Sequence, residues 1–516
     1  MDDPPDVTAA SGTGLARRTF LGGAGAAALG AAGVGGVGMF TGSALTPAAA
    51  APPVPEADRD PLDLLRRMLA HDTRNAGQGA NTRPHAEMLR AVWENADVPT
   101  EIIDTPHPDN VHLIARIPGT GSAAPLLMLG HSDVVPVERG KWSVDPFAGT
   151  VRDGQIYGRG ALDMKGANSA TVSALLRHLA EGARFERDII VLTDCDEEAG
   201  PYGSEWLAKH HWDKVNAGSV LTEGGWFLAR RDGTTPMLIT ATRQDKLYFN
   251  LDLSAHGTAT HSSKPSPDAA LVTLSRAVAE LGDWLAPVHL TAVTREYFGA
   301  LAKATDDQEF ARALGLLLSA RGQDARERAA RVVVKRSSYP WLHQALLRTT
   351  HAFVIGESGY KENVIPSSAK VRVNCRGIPG GQRPRDFLAQ VRGMADRRGV
   401  RVALAAPEGR TEEQHLDELD EAWAAPPADI ATPLFRALSG AAGETYPDAV
   451  FAPALFEAGT SLAPWRERGI PGYGVYPYVI DNDQLVAMHG NDERIHVEAL
   501  RRGTAYLYRM FARFLD

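Results

Sequence analysis

The chain has only two cysteines, Cys195 and Cys375, among its 516 residues. A framework of several disulfides is therefore excluded, and both thiols are predicted to be structural or inert. Basic residues are not in excess, since the net charge is −9 and no basic stripe follows the N-terminus. This argues against nucleic acid as a partner. Beyond the N-terminus, no segment is apolar enough to span a bilayer.

Residues 1–50 are predicted to be a targeting signal rather than part of the fold. Arg17 and Arg18 precede a weakly apolar Gly/Ala-rich run, which ends in small residues that offer cleavage sites. This is typical of a twin-arginine export signal and predicts a periplasmic or extracellular protein. A disordered tail and a signal retained as a membrane anchor are the alternatives. The proline-rich residues 51–60 are predicted to be a linker.

From residue 61 onward, short apolar runs alternate with helical patterns. Residues 111–117, 126–129 and 189–192 are predicted strands, and residues 164–179 are a predicted helix. Such alternation predicts an α/β domain with a mostly parallel central sheet. A chain of 516 residues is also too long for one small core, so two or three domains are expected.

The pattern changes near residue 243. Residues 246–253 alternate as a half-buried strand, with Leu247, Phe249, Leu251 and Leu253 on one face. A helix, a long helical stretch over 295–330, and further strands and helices follow. We therefore predict that a smaller α+β domain with a helical insertion, residues 243–405, interrupts an α/β domain. The α/β domain would comprise residues 61–242 and 406–516.

Five short motifs place acidic or histidine side chains at strand ends or at the starts of helices. They are His131-Ser132-Asp133, the glycine-rich loop 158–166 with Asp163, the acidic run 194–198, Glu223-Gly224-Gly225, and the segment 488–493 with His489. Taken singly, each has an ordinary explanation, such as a helix-capping aspartate or a solvated acidic turn. Because sites in open α/β sheets form beyond the carboxyl ends of the strands, the motifs are expected to converge.

The residue types suit a cation. Asp133 is expected to accept a hydrogen bond from the second imidazole nitrogen of His131 and so fix its tautomer. Four carboxylates within 194–198 would repel one another, and a cation would relieve that repulsion. Of the adjacent Glu197 and Glu198, one could bind a metal while the other acts as a base.

Together these motifs resemble the M20 family of metallopeptidases and amidohydrolases, from about residue 60 to the C-terminus. The resemblance implies an α/β, di-metal exopeptidase-type catalytic domain with a mostly parallel central sheet, and an inserted α+β lid domain that serves dimerisation. It implies a general base, Glu197, and an aspartate, Asp133, that orients the first histidine. It also implies two divalent metal ions, zinc above all, with the ligands His131, the bridging Asp163, Glu198, Glu223 and His489.

The resemblance extends to the inserted domain. The motif 258–265 is similar to the lid histidine motif, which implies that His261 binds the substrate or polarises its carbonyl. Asn363 and Arg376 are similar to a segment that holds a substrate carboxylate. The helical insertion and Glu223-Gly224-Gly225 are similar to the carboxypeptidase S and N-acyl-amino-acid hydrolase branch. Ser461 departs from the pattern, because many relatives have aspartate after Gly-Thr.

The function implied by the resemblance is metal-dependent hydrolysis of a peptide or N-acyl-amino-acid bond, in a homodimer formed through the lid domain. An exported but inert peptide- or metal-binding protein is one alternative, and a narrow-specificity deacylase is another. We also consider that leucines 314 and 316–318 form an apolar pocket for a fatty acyl chain. Ordinary helix packing is the competing interpretation of these leucines.

Overall fold

The computed structural model describes residues 54–77 and 79–515. The predicted export signal lies outside these residues, as does the start of the predicted linker. From residue 54 the linker prediction is wrong, because Val54 is buried in the main core and Asp58 forms an ion pair with Arg67 at 2.7 Å. Among the described residues, no helix has the length and apolarity needed to cross a membrane.

The first part of the chain alternates strands with helices, as the apolar pattern predicts. Its elements are α1 (Glu56–Arg59), α2 (Pro61–Leu69), α3 (Arg83–Glu94), β1 (Thr100–Asp104), β2 (Val111–Ile117), β3 (Ala123–His131), β4 (Thr150–Arg152), β5 (Gln155–Tyr157), α4 (Lys165–Ala180), β6 (Arg187–Asp194), α5 (Ser204–His210), α6 (Trp212–Val215), β7 (Ser219–Ala229) and β8 (Pro236–Asp245).

The middle of the chain contains a second set of strands and a run of five consecutive helices. Its elements are β9 (Leu247–His256), β10 (Thr260–His261), α7 (Ala270–Asp283), α8 (Ala292–Ala304), α9 (Gln308–Ser319), α10 (Gln323–Arg336), α11 (Pro340–Leu347), β11 (Thr350–Ser358), β12 (Val364–Ile365), β13 (Ser368–Gly377), α12 (Pro384–Asp396), β14 (Arg401–Leu404) and α13 (Glu412–Ala424).

The last part returns to the large sheet. Its elements are α14 (Pro433–Thr445), β15 (Val450–Phe456), α15 (Ala463–Arg466), β16 (Gly472–Ile480), α16 (Asn482–Ala487), β17 (Arg494–His496) and α17 (Val497–Leu515).

The large sheet has eight strands in the order β1-β2-β6-β3-β7-β16-β8-β15. Its centre is parallel, since β3 runs parallel to β6 and β7, and β7 runs parallel to β16. Both faces of this centre are covered. Along β3, Leu126 and Met128 point into the main core, whereas Leu127 and Leu129 point into a second core on the opposite face. The carboxyl ends of these central strands therefore meet at one edge.

The smaller sheet has four antiparallel strands in the order β11-β13-β9-β14. Phe249, Leu251 and Leu253 of β9 are buried, as their alternation predicts, and they belong to a separate core beneath α7 and α12. Leu416 and Leu419 of α13 also join this core. Helix α13 thus packs with the smaller sheet although it follows the predicted boundary at residue 405.

The predicted helical stretch is the block α8–α11, and it packs on the large sheet rather than on the smaller one. Phe298 and Leu301 of α8 are fully buried in the main core together with Leu455 of β15. Leu314 and Leu317 are also completely buried there, whereas Leu316 is 66% exposed. Leu314 and Leu317 therefore favour the competing interpretation, ordinary helix packing, over a pocket for an acyl chain.

Candidate metal centre and active site

His131 is the last residue of β3 and is almost completely buried. Its Nδ1 atom lies 2.9 Å from the main-chain carbonyl oxygen of Asp133. Because a carbonyl can only accept, Nδ1 holds a proton, and in the neutral ring Nε2 then presents a lone pair. Nε2 lies 3.1 Å from Asp163 Oδ1 and 3.6 Å from Glu223 Oε2. The tautomer is therefore the one that suits a metal ligand.

Asp163 stands between two histidines. Its Oδ1 atom faces His131, and its Oδ2 atom lies 3.1 Å from Nε2 of His489. Each oxygen thus faces a different imidazole, which is the arrangement needed for a carboxylate that bridges two cations. His489 Nε2 also lies 3.1 Å from Glu198 Oε1, so the distant C-terminal motif does reach the carboxylates.

Glu223 lies inside β7, where pairing of that strand with β3 has ended at Leu221. The strand does not stop there, as the sequence suggested, but continues to Ala229 and pairs with β8. Gly224 has a φ of +144°, and a side chain there would meet Thr242 Oγ1 at 2.4 Å. Glycine is thus required beside the glutamate, because its φ is positive and a Cβ atom there would collide with Thr242.

Two groups of three residues show how compact the centre is. Potential ligand atoms of His131, Asp163 and Glu198 lie within 4.8 Å of one another, and so do those of His131, Glu197 and Glu223. The structure therefore brings together all five predicted ligands and the predicted base.

The electrostatics of this cluster favour a cation. Burial alone would lower the pKa of His489, but Asp163 and Glu198 raise it to about 11. Burial likewise opposes the charge of His131, yet Asp133, Asp163 and Glu223 raise its pKa well above the ordinary value. The carboxylates thus bind positive charge strongly. Oxygen and imidazole donors without thiolate suit zinc and similar divalent ions, so these residues fit a metal centre.

Glu197 and Glu198 are positioned through Asp133. The backbone N–H groups of Glu197 and Glu198 donate to the Asp133 carboxylate at 3.2 and 3.1 Å. That carboxylate is 3.6 Å from His131 Nδ1, farther than the Asp133 carbonyl that holds the ring. Asp133 therefore orients His131 through its main chain, while its side chain holds the loop of the predicted base.

Two of the four carboxylates within residues 194–198 accept hydrogen bonds, although burial and the charge of Asp133 still raise the pKa of Asp194 to about 7. Asp194 accepts from the backbone N–H of Cys195 at 2.6 Å, and Asp196 accepts from the side chain of Asn75 at 2.7 Å. The Asn75 amide also donates to Asp133 at 2.9 Å. Only Glu197 and Glu198 face the metal cluster. Burial and the charge of Glu223 raise the pKa of Glu197 well above its ordinary value.

The sequence assigned no role to three supporting residues. Glu493 is completely buried and accepts from the backbone N–H groups of Leu162 and Asp163 at 2.7 and 3.0 Å, and from Arg159. The hydroxyl of Tyr476 lies 2.8 Å from Asp163 Oδ1 and 2.6 Å from Glu223 Oε2. Glu493 is the last residue of the segment 488–493 that contains His489, and Arg159 lies in the glycine-rich loop 158–166. Tyr476, in contrast, occurs in an ordinary apolar strand.

His261 and Asn363 lie together on the ladder formed by β10 and β12, where Ser262 donates its backbone N–H to the Asn363 carbonyl at 3.0 Å. The backbone N–H of Ser263 donates to Nδ1 of His261 at 3.1 Å. A neutral His261 therefore has its proton on Nε2, where it can be donated. Both side chains are exposed, and Nδ1 of His261 lies 2.8 Å from the hydroxyl of Ser263, a local contact outside the metal cluster.

Arg376 belongs to β13 but approaches the predicted base. Its guanidinium lies 4.7 Å from the centre of the Tyr248 ring. Its Nη1 atom is so close to Gly459 that a Cβ atom added there would lie only 3.4 Å away. Burial lowers the pKa of Arg376, against the opposing effects of Tyr248, Glu197 and Glu457. Of the predicted residues in the smaller sheet region, Arg376 is thus the one within electrostatic reach of Glu197.

The two cysteines and Ser461 all lie in the described part of the chain. Cys195 and Cys375 are both buried and free, and burial raises the pKa of each thiol. The hydroxyl of Ser461 lies 3.5 Å from Asp194 Oδ2, while its neighbour Thr460 donates to Asp245 at 2.6 Å.

Comparisons with known proteins agree with this geometry. The model of peptidase family M20/M25/M40 matches residues 127–513. A probable carboxypeptidase S-like 2 from Dictyostelium discoideum is 26% identical over 75% of this chain and 71% of its own. The N-fatty-acyl-amino acid synthase/hydrolase PM20D1 of Homo sapiens is 27% identical over 77% of this chain and 76% of its own.

A solved structure shows the same fold. The M20 family metallo-carboxypeptidase from Sulfolobus solfataricus has a TM-score of 0.62 at 18% sequence identity, covering 88% of this chain and 99% of its own. The predicted fold class, with a mostly parallel central sheet and an inserted α+β lid domain, is confirmed. The exact domain boundaries stay a prediction.

Proposed function

The chain belongs to peptidase family M20/M25/M40, and we propose that it hydrolyses the amide bond of a small peptide or an N-acyl amino acid with the help of two divalent metal ions. The observation that supports this most directly is Asp163, whose two carboxylate oxygens face His131 and His489 at 3.1 Å each. One ion would be held by His131, Glu223 and Asp163. The other would be held by His489, Glu198 and Asp163.

Two such ions would polarise the scissile carbonyl. They would also lower the pKa of a bound water molecule to about 7. Glu197 would accept a proton from the attacking water and pass it to the leaving amine. Its position supports this role, because it lies beside His131 and Glu223 while its backbone is held by Asp133. Burial and the charge of Glu223 raise its pKa, which makes the carboxylate a stronger proton acceptor.

The substrate would be oriented by residues of the inserted domain. Arg376 presents a guanidinium on the Tyr248 ring within electrostatic reach of Glu197, and guanidinium geometry suits a bidentate contact with a carboxylate. His261, with its proton on Nε2, would donate to the oxyanion that develops on the carbonyl, and the neighbouring Asn363 would assist binding. These roles favour substrates that have a free carboxylate next to the scissile amide.

The first experiment is a hydrolysis assay with the purified, zinc-loaded full chain. A panel of N-acyl amino acids and dipeptides is incubated with and without a chelator, and free amino acids are quantified. Chelator-sensitive release would support the proposal, and the preference between dipeptides and long-chain N-acyl amino acids would distinguish the two activities suggested by the relatives. Metal-loaded protein that releases nothing from any member would favour a binding protein instead.

Zinc is the metal that we propose. The metal-free chain, loaded separately with zinc, manganese or cobalt, should bind two equivalents of each by elemental analysis. Zinc should bind most tightly, because imidazole and carboxylate ligands follow the general affinity order of divalent ions. A ratio of one ion per chain at saturation would contradict the two-metal proposal.

Export by the twin-arginine route is proposed from the sequence alone. A variant with both Arg17 and Arg18 replaced by lysine should accumulate inside the cell, whereas the natural chain should reach the exported fraction. The same fractionation shows whether the exported protein is released or stays with the membrane. Equal distribution of the two proteins would contradict the assignment.

We also propose a homodimer through the edge of the smaller sheet. Among the described residues, strand β11 pairs on one side only, with β13, and its Val354 and Ile355 are 54% and 52% exposed. An unpaired strand edge with apolar side chains favours pairing with a second strand. Light scattering should show a dimer for the natural chain and a monomer for the Ile355→Lys variant.

A further inference from the structure

Tyr476 is the only phenol whose hydroxyl contacts the predicted metal ligands in the described part of the chain. It lies on β16, the strand next to β7, and its side chain is completely buried. The hydroxyl oxygen is 2.6 Å from Glu223 Oε2 and 2.8 Å from Asp163 Oδ1. The shorter distance is that of a charge-assisted hydrogen bond.

A phenol has one proton and can donate to only one of these two carboxylates at a time. Asp163 already faces an imidazole with each of its oxygens, at 3.1 Å in both cases. Glu223 has no other donor as close as Tyr476, because the nearest imidazole nitrogen, Nε2 of His131, is 3.6 Å from its Oε2 atom. The shorter contact and the smaller number of competing partners therefore assign the proton of Tyr476 to Glu223.

The ring of Tyr476 is itself fixed from the opposite side. The indole of Trp226 stacks on it with ring centres 4.5 Å apart and planes inclined by 12°. The indole N–H of Trp226 in turn donates to Glu457 Oε1 at 2.7 Å. Neither ring can rotate without losing a buried contact, so the hydroxyl of Tyr476 is aimed at the carboxylates by packing.

We propose that Tyr476 is a positioning residue for the metal centre: its hydroxyl donates to Glu223 and holds that carboxylate in one orientation for the cation that Glu223 shares with His131. Partners of this kind orient ligands and commonly change metal affinity by about 10–100-fold when they are removed. The inference rests on the metal centre of the proposed function. It adds a determinant of the affinity of one of the two metal positions.

The test compares two variants that each lose one buried hydroxyl. Tyr476→Phe removes the contact with Glu223, whereas Tyr506→Phe removes a hydroxyl that donates to the Leu438 carbonyl at 3.2 Å, away from the cluster. Metal-free proteins are titrated with zinc in competition with a chelator, and with cobalt while its visible absorption is recorded. Tyr476→Phe should bind one of the two ions at least about tenfold more weakly and change the cobalt spectrum. Tyr506→Phe should do neither.

A second pair of variants shows which carboxylate is involved and keeps the test decisive if Tyr476→Phe is unstable. In a Glu223→Gln background, where the proposed acceptor is altered, adding Tyr476→Phe should weaken metal binding much less than it does in the natural chain. An unchanged affinity and cobalt spectrum for Tyr476→Phe would overturn the inference. An equally large effect in the Glu223→Gln background would overturn it too, because Tyr476 would then act through Asp163.

The outcome can be separated from that of the proposed function. If the natural chain binds two ions but Tyr476→Phe behaves identically, only the role of Tyr476 fails. If the natural chain does not bind two ions, the two-metal proposal itself fails before Tyr476 is considered.

Discussion

Arg159 and Glu493 form a buried ion pair, with 2.5 Å between Nη1 and Oε2 and only 2% and 1% of the two side chains exposed. Arg159 also donates to the carbonyl of Gly490 at 2.7 Å, directly after His489. Glu493 accepts from the backbone N–H of Asp163. The pair therefore joins the glycine-rich loop that carries Asp163 to the C-terminal segment that carries His489.

Replacing one partner should be strongly destabilising. Arg159→Met leaves the Glu493 carboxylate buried without its guanidinium, which typically costs about 3–5 kcal/mol in the free energy of unfolding. Urea unfolding in the presence of a chelator measures this without any contribution from metal. Lys214→Met, which breaks the exposed pair with Glu101, is the matched control and should cost about 1 kcal/mol or less.

A double variant tests whether the charge or the geometry matters. Arg159→Met combined with Glu493→Gln removes both charges, while the amide oxygen can still accept from the backbone of the glycine-rich loop. It should therefore be more stable than Arg159→Met alone. A double variant that is less stable than either single variant would contradict this account of the pair.

Glu197→Gln should abolish most of the turnover without emptying the metal centre. The amide has nearly the shape of the carboxylate but cannot accept the proton of water, so kcat should fall by about 10²–10⁴. Metal content by elemental analysis should stay that of the natural chain. Glu205→Gln, on the exposed side of α5, should keep full activity. Full activity of Glu197→Gln would exclude Glu197 as the base.

Asn75 is expected to matter although it touches no predicted metal ligand side chain. Its amide donates to Asp133 at 2.9 Å and to Asp196 at 2.7 Å, two buried carboxylates that otherwise repel each other. Asn75→Ala should cost about 1.5–3 kcal/mol, the range for hydrogen bonds to charged groups. Asn75→Asp should be worse, because it adds a third negative charge. Urea midpoints at neutral pH give both values, and equal stability of the two variants would contradict the electrostatic explanation.

Mild acid should destabilise the protein through its buried neutral histidines. Burial lowers the pKa of His343 to about 3, from an ordinary value of 6.5. Between these values the unfolded chain binds a proton that the folded chain does not, so the free energy of unfolding falls as the pH decreases below 6.5. At pH 5 one such histidine costs about 2 kcal/mol relative to neutral pH.

The measurement for His343 is the difference between urea unfolding at pH 7.5 and at pH 5. His343→Gln loses the titrating group, so this difference should shrink by about the same 2 kcal/mol. His210→Gln, on the exposed surface of α5, is the control and should leave the difference unchanged. An undiminished pH dependence in His343→Gln would show that His343 is already protonated in the folded chain.

Much of the metal centre could be predicted from local sequence. His131 follows the predicted strand 126–129, and Glu197 and Glu198 come shortly after the predicted strand 189–192. Because parallel strands end at one edge of the sheet, these motifs had to meet once the α/β pattern was recognised. The alternation of Phe249, Leu251 and Leu253 likewise predicted the buried face of the smaller sheet, as the structure confirms.

Other features depend on contacts that no local pattern contains. Tyr476 lies 313 positions from Asp163, and Glu493 lies 334 positions from Arg159. Which strand neighbours β7, and hence which side chain reaches Glu223, is a matter of sheet order rather than of composition. The helices α8–α11 show the same limit, since their apolar stripes predict that they pack but not which sheet they cover.

The sequence by itself therefore determined the residue types of the centre and the strand ends from which they project, because these follow from short-range hydrophobic periodicity and from the chemistry of the side chains. Only the tertiary structure decided how the centre is supported. The hydroxyl of Tyr476, the carboxylate of Glu493 and the amide of Asn75 are buried polar groups, and each must find a partner within the fold. That requirement is met by residues that the chain brings together from distant positions, so it becomes visible only when the strands are in place.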